Sequence, residues 1–161
     1  TSLISSFAQA DVPFYVDFKY ILNNSLAGKQ AQQTLQKKLN NGIKQLKAKE
    51  TKIQSDEKEI IKQKKVISAD EYKKRVTTLR KKVALLQKER DDLLNGVAKQ
   101  KTKARSELLK NLNPLIKDFM QEKKIRMVID KKSILLADET LDLTQEIIKR
   151  LNKKLKKIKL D

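Results

Sequence analysis

The chain has 161 residues and a formal net charge of +18; 36% of its residues are charged, 4% are aromatic, and it has no Cys and no His. The missing Cys and His exclude disulfides, thiolate nucleophiles, the usual zinc sites and the commonest general base at neutral pH. The charge favours anionic partners, which could be nucleic acid, acidic protein, phospholipid or lipopolysaccharide, and no run of about 18 apolar residues suggests a membrane-spanning helix.

The first ten residues, TSLISSFAQA, have the character of the end of a secretory signal peptide. They are small and weakly apolar, and they finish with Ala8-Gln9-Ala10, which puts small residues at the two positions that a signal peptidase reads. We therefore expect residues 1–10 to be a signal-peptide remnant and the exported mature protein to begin at Asp11. The alternative is a frayed tail in which the A-x-A pattern arose by chance.

Two elements follow this segment. Residues 12–18 (VPFYVDF) alternate between apolar and polar positions, which predicts a strand. Asn24 or Ser25 could then cap a helix start, and apolar residues at intervals of seven predict a first long helix from Ala27 to Ile67.

A second long helix is predicted to begin at Ser68, because Ser68 and Glu71 form a capping-box pattern. A tight turn between the helices makes them antiparallel, with residues whose numbers sum to 139 at the same level. We expect a coiled-coil arm over residues 27–118 with its tip near 67–72. Its predicted seam residues are Leu46, Ile53, Ile60, Leu79, Leu86 and Leu93.

The fold-back returns the chain to its first strand. There, residues 125–139 predict a hairpin of two strands, Ile125–Asp130 and Ile134–Ala137. Asp142 with Gln145 predicts the cap of a final amphipathic helix over residues 143–160. We expect a mainly α-helical protein with a small β body, formed by residues 11–26 and 119–161. A three-stranded sheet of this size keeps exposed edges, so copies of the chain are expected to complete a shared barrel. The expected oligomerisation residues are Val16, Phe18, Val128, Ile129, Ile134 and Leu135.

The order of these elements resembles the Skp/OmpH family of periplasmic chaperones, over essentially residues 11–152. The arm matches the family only in its general character as a charged coiled coil. The more specific matches lie at the start of the first long helix and near the hairpin: Ser25, Gly28, Lys29, Asp130, Leu135, Ala137, Asp142, Leu143 and Thr144. The resemblance implies a homotrimer in which three arms hang from a nine-stranded body. The arms would enclose a cavity that holds unfolded outer-membrane proteins in the periplasm without ATP. The tail Lys149–Lys159 has seven basic residues and is more positively charged than the family leads us to expect, and its role stays open.

The arm is strongly basic. Residues 29–124 contain 27 Lys or Arg against 12 Asp or Glu. This excess favours a surface that attracts acidic clients and anionic lipid or lipopolysaccharide, although a merely solvated coiled-coil surface is the alternative. The candidate client-binding residues are Lys44, Lys47, Lys62, Lys73, Arg80 and Lys99. Tyr72 and Ile67 at the tip could touch a client or close the last layer of the hairpin.

We expect no catalytic residue, no cofactor and no metal site, because paired acids such as Asp91 and Asp92 point in different directions around a helix. A cytoplasmic nucleic-acid-binding coiled coil is the main alternative function. Against it, residues 21–117 hold one aromatic residue, Tyr72, and no recognised DNA-reading motif, so no specific nucleic acid is expected. A prefoldin-like chaperone is a third possibility, but there the strands lie between the helices.

Overall fold

The computed structural model describes residues 11–161, so the expected signal-peptide remnant lies outside the described residues. The described elements are β1 (Phe14–Val16), α1 (Phe18–Asn24), α2 (Leu26–Gln63), α3 (Ala69–Lys123), β2 (Val128–Asp130) and α4 (Thr144–Lys154), with 3-10 turns at Lys131–Ser133 and Glu139–Leu141. The chain divides into two compact units. Residues 11–31 and 104–160 form the body unit, and residues 32–103 with Asp161 form the arm unit. No helix within residues 11–161 is long and apolar enough to cross a membrane.

In the arm unit, α2 and α3 form an antiparallel helical hairpin. The helix α2 ends at Gln63, four residues before the predicted end at Ile67, and α3 begins where the sequence predicts a cap. The side-chain oxygen of Ser68 accepts the backbone N–H of Glu71 at 3.2 Å, which satisfies one of the free donors in the first turn of α3.

Polar contacts across the hairpin define its register. The Nζ atom of Lys82 lies 2.8 Å from Asp56, and the Nζ atom of Lys38 lies 2.8 Å from the side-chain oxygen of Gln100. The residue numbers of each pair sum to 138, as do those of Lys49 and Glu89, whose charged groups lie 2.5 Å apart. The residue numbers of Arg90 and Glu50, which form a longer ion pair at 3.9 Å, sum to 140, so these contacts bracket the predicted sum of 139.

The seam between the two helices is thin. Of the six predicted seam residues, Leu46 and Leu86 are buried, whereas Ile53, Ile60, Leu79 and Leu93 are half-buried. Since full burial of a Leu or Ile contributes about 1.5–3 kcal/mol, partial burial leaves each of these layers weaker than a globular core.

The body unit contains a two-stranded sheet built from opposite parts of the chain. Strand β1 pairs with β2 in parallel, with Phe14 opposite Val128 and Val16 opposite Asp130. The expectation that the first strand meets the segment after the second long helix is therefore confirmed. On the other edge of β1, the oxygen of Tyr15 accepts the backbone N–H of Leu143 at 2.9 Å.

The predicted hairpin is wrong, because residues 134–137 form no strand. The side chain of Asp130 accepts the N–H of Lys132, and that of Asp138 accepts the N–H of Thr140, so each Asp opens a 3-10 turn. These short-range hydrogen bonds compete with strand pairing, as Asp side chains commonly do in turns. Within residues 11–161 the sheet has two strands rather than the three that were expected.

Helix α1 was not predicted, because it begins at the last residue of the segment that alternates like a strand. Asp17 ends the extended stretch, and its side-chain oxygen accepts the N–H of Tyr20 at 2.9 Å as the N-cap of α1. Ser25 then separates α1 from α2. Its N–H donates to the oxygen of Ile21, and its side chain accepts the N–H of Gly28 at 3.1 Å.

Four helical segments supply the core of the body unit. Helix α1 packs against α4, and the largest fully buried apolar side chains are Ile21, Leu112, Ile147 and Leu151. Helix α4 ends at Lys154, before the predicted end near Leu160. Its Arg150 joins α4 to the end of α3, since the guanidinium binds both oxygens of Glu122 at 2.6 and 3.1 Å and lies 4.5 Å from the ring of Phe119.

Candidate functional site

Binding surfaces are the candidate functional features of this chain. Among residues 11–161, no three or more Asp or Glu side chains are grouped in a way that could hold a metal ion. Two surfaces stand out instead: the charged faces of the arm unit, and an exposed apolar segment beside the sheet of the body unit.

Positive charge on the arm unit greatly exceeds what its acidic residues neutralise. Residues 32–103 carry 21 Lys or Arg against nine Asp or Glu. In this part of the chain, six of the 21 cations form ion pairs: Lys49, Lys52, Arg75, Lys82, Lys88 and Arg90. The other fifteen are exposed and form no ion pair with an Asp or Glu side chain within the described residues. Two of them donate to other oxygens, Lys38 to the side chain of Gln100 and Lys103 to the main chain of Asp161.

Several of the acidic residues form ion pairs with lysines or arginines of the same hairpin. The carboxylate of Asp56 lies between Lys82, at 2.8 Å, and Lys52, at 3.3 Å. These two ammonium groups, Lys82 first, hold the pKa of Asp56 below its usual value. Exposed ion pairs stabilise weakly, by about 0–1 kcal/mol, but they fix which lysines are neutralised and which remain open to a partner.

The six predicted client-binding residues all lie exposed on the arm unit. Lys44, Lys47 and Lys62 are on α2, and Lys73, Arg80 and Lys99 are on α3. None of the six forms an ion pair with any residue of the described chain. They do not form one cluster: Lys44 and Lys62 alone are separated by about 27 Å along the helix, at 1.5 Å per residue.

An open groove near the tip exposes apolar surface that includes the predicted seam residues Ile53, Ile60 and Leu79. Its lining consists of Ile53, Glu57, Ile60, Ile61, Tyr72, Val76, Leu79, Arg80 and Val83. Ile61 is 61% exposed, and Val66 in the turn is 83% exposed. Both residues lie outside the predicted heptad seam, and this position in the sequence could have indicated that they are exposed. Tyr72 is half-buried, with the Nζ atom of Lys64 5.5 Å from the centre of its ring.

The body unit exposes the second surface, which we call the β2 segment (residues 127–136). Of the predicted oligomerisation residues, Val16 is buried, Phe18, Val128, Ile129 and Ile134 are half-buried, and Leu135 is fully exposed. The neighbouring Leu136, which was not predicted, is 91% exposed. Within residues 11–161, β2 pairs only with β1, so its outer edge is open.

The motif residues that carry the resemblance have structural roles. The N–H of Asp17 donates to the hydroxyl of Thr144 at 2.8 Å, and Asp142 accepts both the N–H and the hydroxyl of Thr144. Ser25 is fully buried between α1 and α2. The contacts of Thr144 with Asp17 and Asp142 join the segment before α1 to the start of α4.

Comparisons with known proteins agree with this architecture. The model of the family described as Outer membrane protein (OmpH-like) matches residues 14–151. The chain is also similar in structure to an OmpH-like protein from Caulobacter crescentus CB15, described as a candidate outer membrane chaperone. The two share 22% sequence identity with a TM-score of 0.86, over 93% of this chain and 90% of that one. A search of curated proteins found no match.

Proposed function

Because the chain belongs to the OmpH-like outer membrane protein family, we propose that it is an ATP-independent holdase chaperone of the periplasm, not an enzyme. It binds unfolded outer-membrane proteins in a basic cavity between helical arms and prevents their aggregation. The observation that carries the proposal is the arm unit, where fifteen cations have no acidic partner in the described chain.

Unneutralised lysines suit a chaperone that must capture clients without recognising one sequence. Each exposed charge contact is weak, at about 0–1 kcal/mol, but many acting together give avidity and fast association. The exposed Ile61 and Val66 near the tip supply apolar contact for the hydrophobic segments of a client. The arm therefore offers both attraction at a distance and weak apolar contact.

The proposal includes a homotrimer. The open edge of β2 and the exposed pair Leu135 and Leu136 are features that a soluble protein normally covers. Other copies of the chain would cover them by extending the small sheet into a shared barrel, as the family resemblance implies. Export by a cleaved signal peptide would bring this assembly to the periplasm. The arm lysines would also attract anionic lipid or lipopolysaccharide.

The experiment compares two variants that lose the same charge. The arm-six variant replaces Lys44, Lys47, Lys62, Lys73, Arg80 and Lys99 by Gln. The tail-six variant replaces Lys149, Lys153, Lys154, Lys156, Lys157 and Lys159 by Gln. Each removes six of the 38 cations, and every replaced side chain is exposed. Light scattering follows the aggregation of an unfolded outer-membrane protein as it is diluted from urea without nucleotide.

We expect the wild type and the tail-six variant to suppress aggregation, and the arm-six variant to need several times more protein for the same effect. Equal suppression by both variants would show that the arm charges do not bind clients. Aggregation in the presence of the wild type, together with tight DNA binding at physiological salt, would favour the nucleic-acid alternative.

A further inference from the structure

The basic C-terminal tail is a second charged surface that the chaperone function does not use. The family match ends at residue 151, and the segment 149–159 holds seven basic residues and no acidic one. One of the seven, Arg150, is bound to Glu122 and Glu146 inside the body unit. The other six are the lysines replaced in the tail-six variant. All six are exposed, and none forms an ion pair within residues 11–161.

The fold holds these lysines in place. Beyond the end of α4, Ile158 is 4% exposed and Leu160 is 9% exposed, whereas Lys157 and Lys159 between and beside them are exposed. This alternation matches an extended segment whose apolar side chains point inward and whose lysines point outward. The lysines are therefore displayed on a packed segment, and binding them costs little ordering of the chain.

Three of the lysines border the same depression. Lys149, Lys153 and Lys156 line a shallow open depression together with the polar side chains of Gln145 and Asn152. Ammonium groups around an open depression of this kind suit phosphate groups presented by a surface, and no carboxylate lies among the lining residues to oppose them.

We propose that this tail surface (the six lysines on α4 and the segment after it) docks the protein on an anionic lipid bilayer. A cluster of four to eight lysines on an amphipathic helix and its flank is the pattern that binds anionic headgroups. No aromatic residue lies between 145 and 161 to stack on bases, which disfavours single-stranded nucleic acid as the partner. Since Ile158 and Leu160 are buried, the contact is electrostatic and superficial rather than inserted.

The test is flotation of the full chain with vesicles of phosphatidylcholine alone or mixed with phosphatidylglycerol. We expect the wild type to float only with the anionic vesicles, and less as salt shortens the Debye length. A lysine near an anionic surface strengthens binding about five-fold, so even three contacting lysines make the tail-six variant roughly 100-fold weaker. The arm-six variant, which has the same net charge, removes only part of the weaker lipid attraction proposed for the arm, so it should lose much less vesicle binding than the tail-six variant.

A variant with Arg at the same six tail positions keeps the charge and should keep the binding. Wild-type protein that does not float, or a tail-six variant that floats like the wild type, would overturn the proposal. So would a tail-six defect confined to single-stranded DNA. Client aggregation is measured separately from vesicle binding. A protein that suppresses aggregation but does not bind vesicles would contradict only this proposal, and a protein that binds vesicles but does not suppress aggregation would contradict only the chaperone function.

Discussion

A Cβ atom placed on Gly28 would lie 1.8 Å from the main-chain oxygen of Leu22. The first turn of α2 therefore approaches the end of α1 more closely than any residue with a side chain permits. The obstacle is backbone, which cannot rotate away as a side chain can. This approach gives a structural role to Gly28, one of the residues on which the resemblance to the family rests.

Replacing Gly28 by Ala should destabilise the body unit by about 1–3 kcal/mol, because the added methyl group forces α1 and α2 apart. Urea unfolding at fixed protein concentration measures the change. Gly96→Ala is the matched control, since a Cβ at Gly96 meets no atom within 4 Å and Ala favours the helix by about 1 kcal/mol. A Gly28→Ala variant as stable as Gly96→Ala would contradict the packing described for α1 and α2.

The Thr144 hydroxyl should contribute to stability through its two hydrogen bonds. It is buried, accepts the N–H of Asp17 at 2.8 Å and donates to Asp142. Thr144→Val keeps the shape but leaves the N–H of Asp17 without its acceptor, so we expect a loss of about 1–3 kcal/mol in thermal or urea unfolding. Thr140→Val removes an exposed hydroxyl that binds Asp138 and should change stability by less than about 0.5 kcal/mol. Equal effects of the two substitutions would refute the role of Thr144.

Glu122 should make stability depend on pH in the acidic range. Arg150 donates to its carboxylate and thereby lowers the pKa of Glu122 from its ordinary value of 4.5. A group whose folded pKa is lowered stabilises the fold above its unfolded pKa, and this contribution disappears as the pH falls through the folded value. The wild type should therefore have a higher melting temperature than Glu122→Gln at neutral pH, and the difference in melting temperature should shrink below pH 4.5. A difference that stays constant down to the acid-unfolded range would contradict this linkage.

The exposed leucines of the β2 segment should control assembly. Leu135→Asp with Leu136→Asp places two charges where the proposed neighbouring chain packs, so light scattering should show the mass falling from three chains toward one. Leu85→Asp with Leu94→Asp is the control, since these leucines of the arm unit are also exposed, at 55% and 51%. Its mass should match that of the wild type. A wild-type monomer, or a trimer that tolerates Leu135→Asp with Leu136→Asp, would exclude this interface.

The sequence predicts the long helices well because heptad periodicity and the Ser68 cap act over short distances. It also predicts that the chain ends meet, as the pairing of Phe14 with Val128 confirms. It fails at residues 134–137, where an apolar run satisfies the strand pattern but Asp130 and Asp138 direct the backbone into turns. Seven-residue α1 is too short for its periodicity to outweigh the alternation before it.

The composition shows that the chain is strongly basic, but it does not show which cations are neutralised by acidic neighbours. Asp56 and Glu89 neutralise particular lysines only because the hairpin brings residues of α2 and α3 to the same level. Likewise, the sequence marks Leu135 as apolar, and only the structure shows that it lies fully exposed within the described chain. Free charge and exposed apolar surface both depend on long-range geometry.

The affinity of the wild type for an unfolded outer-membrane protein, titrated in a salt series without nucleotide, tests the central claim most directly. If unpaired arm cations capture the client, the Kd should rise by an order of magnitude or more as the Debye length shortens from about 30 Å to about 8 Å. The arm-six variant should bind more weakly and respond less to salt. A Kd that is unchanged across the series, and the same in the arm-six variant, would contradict the account.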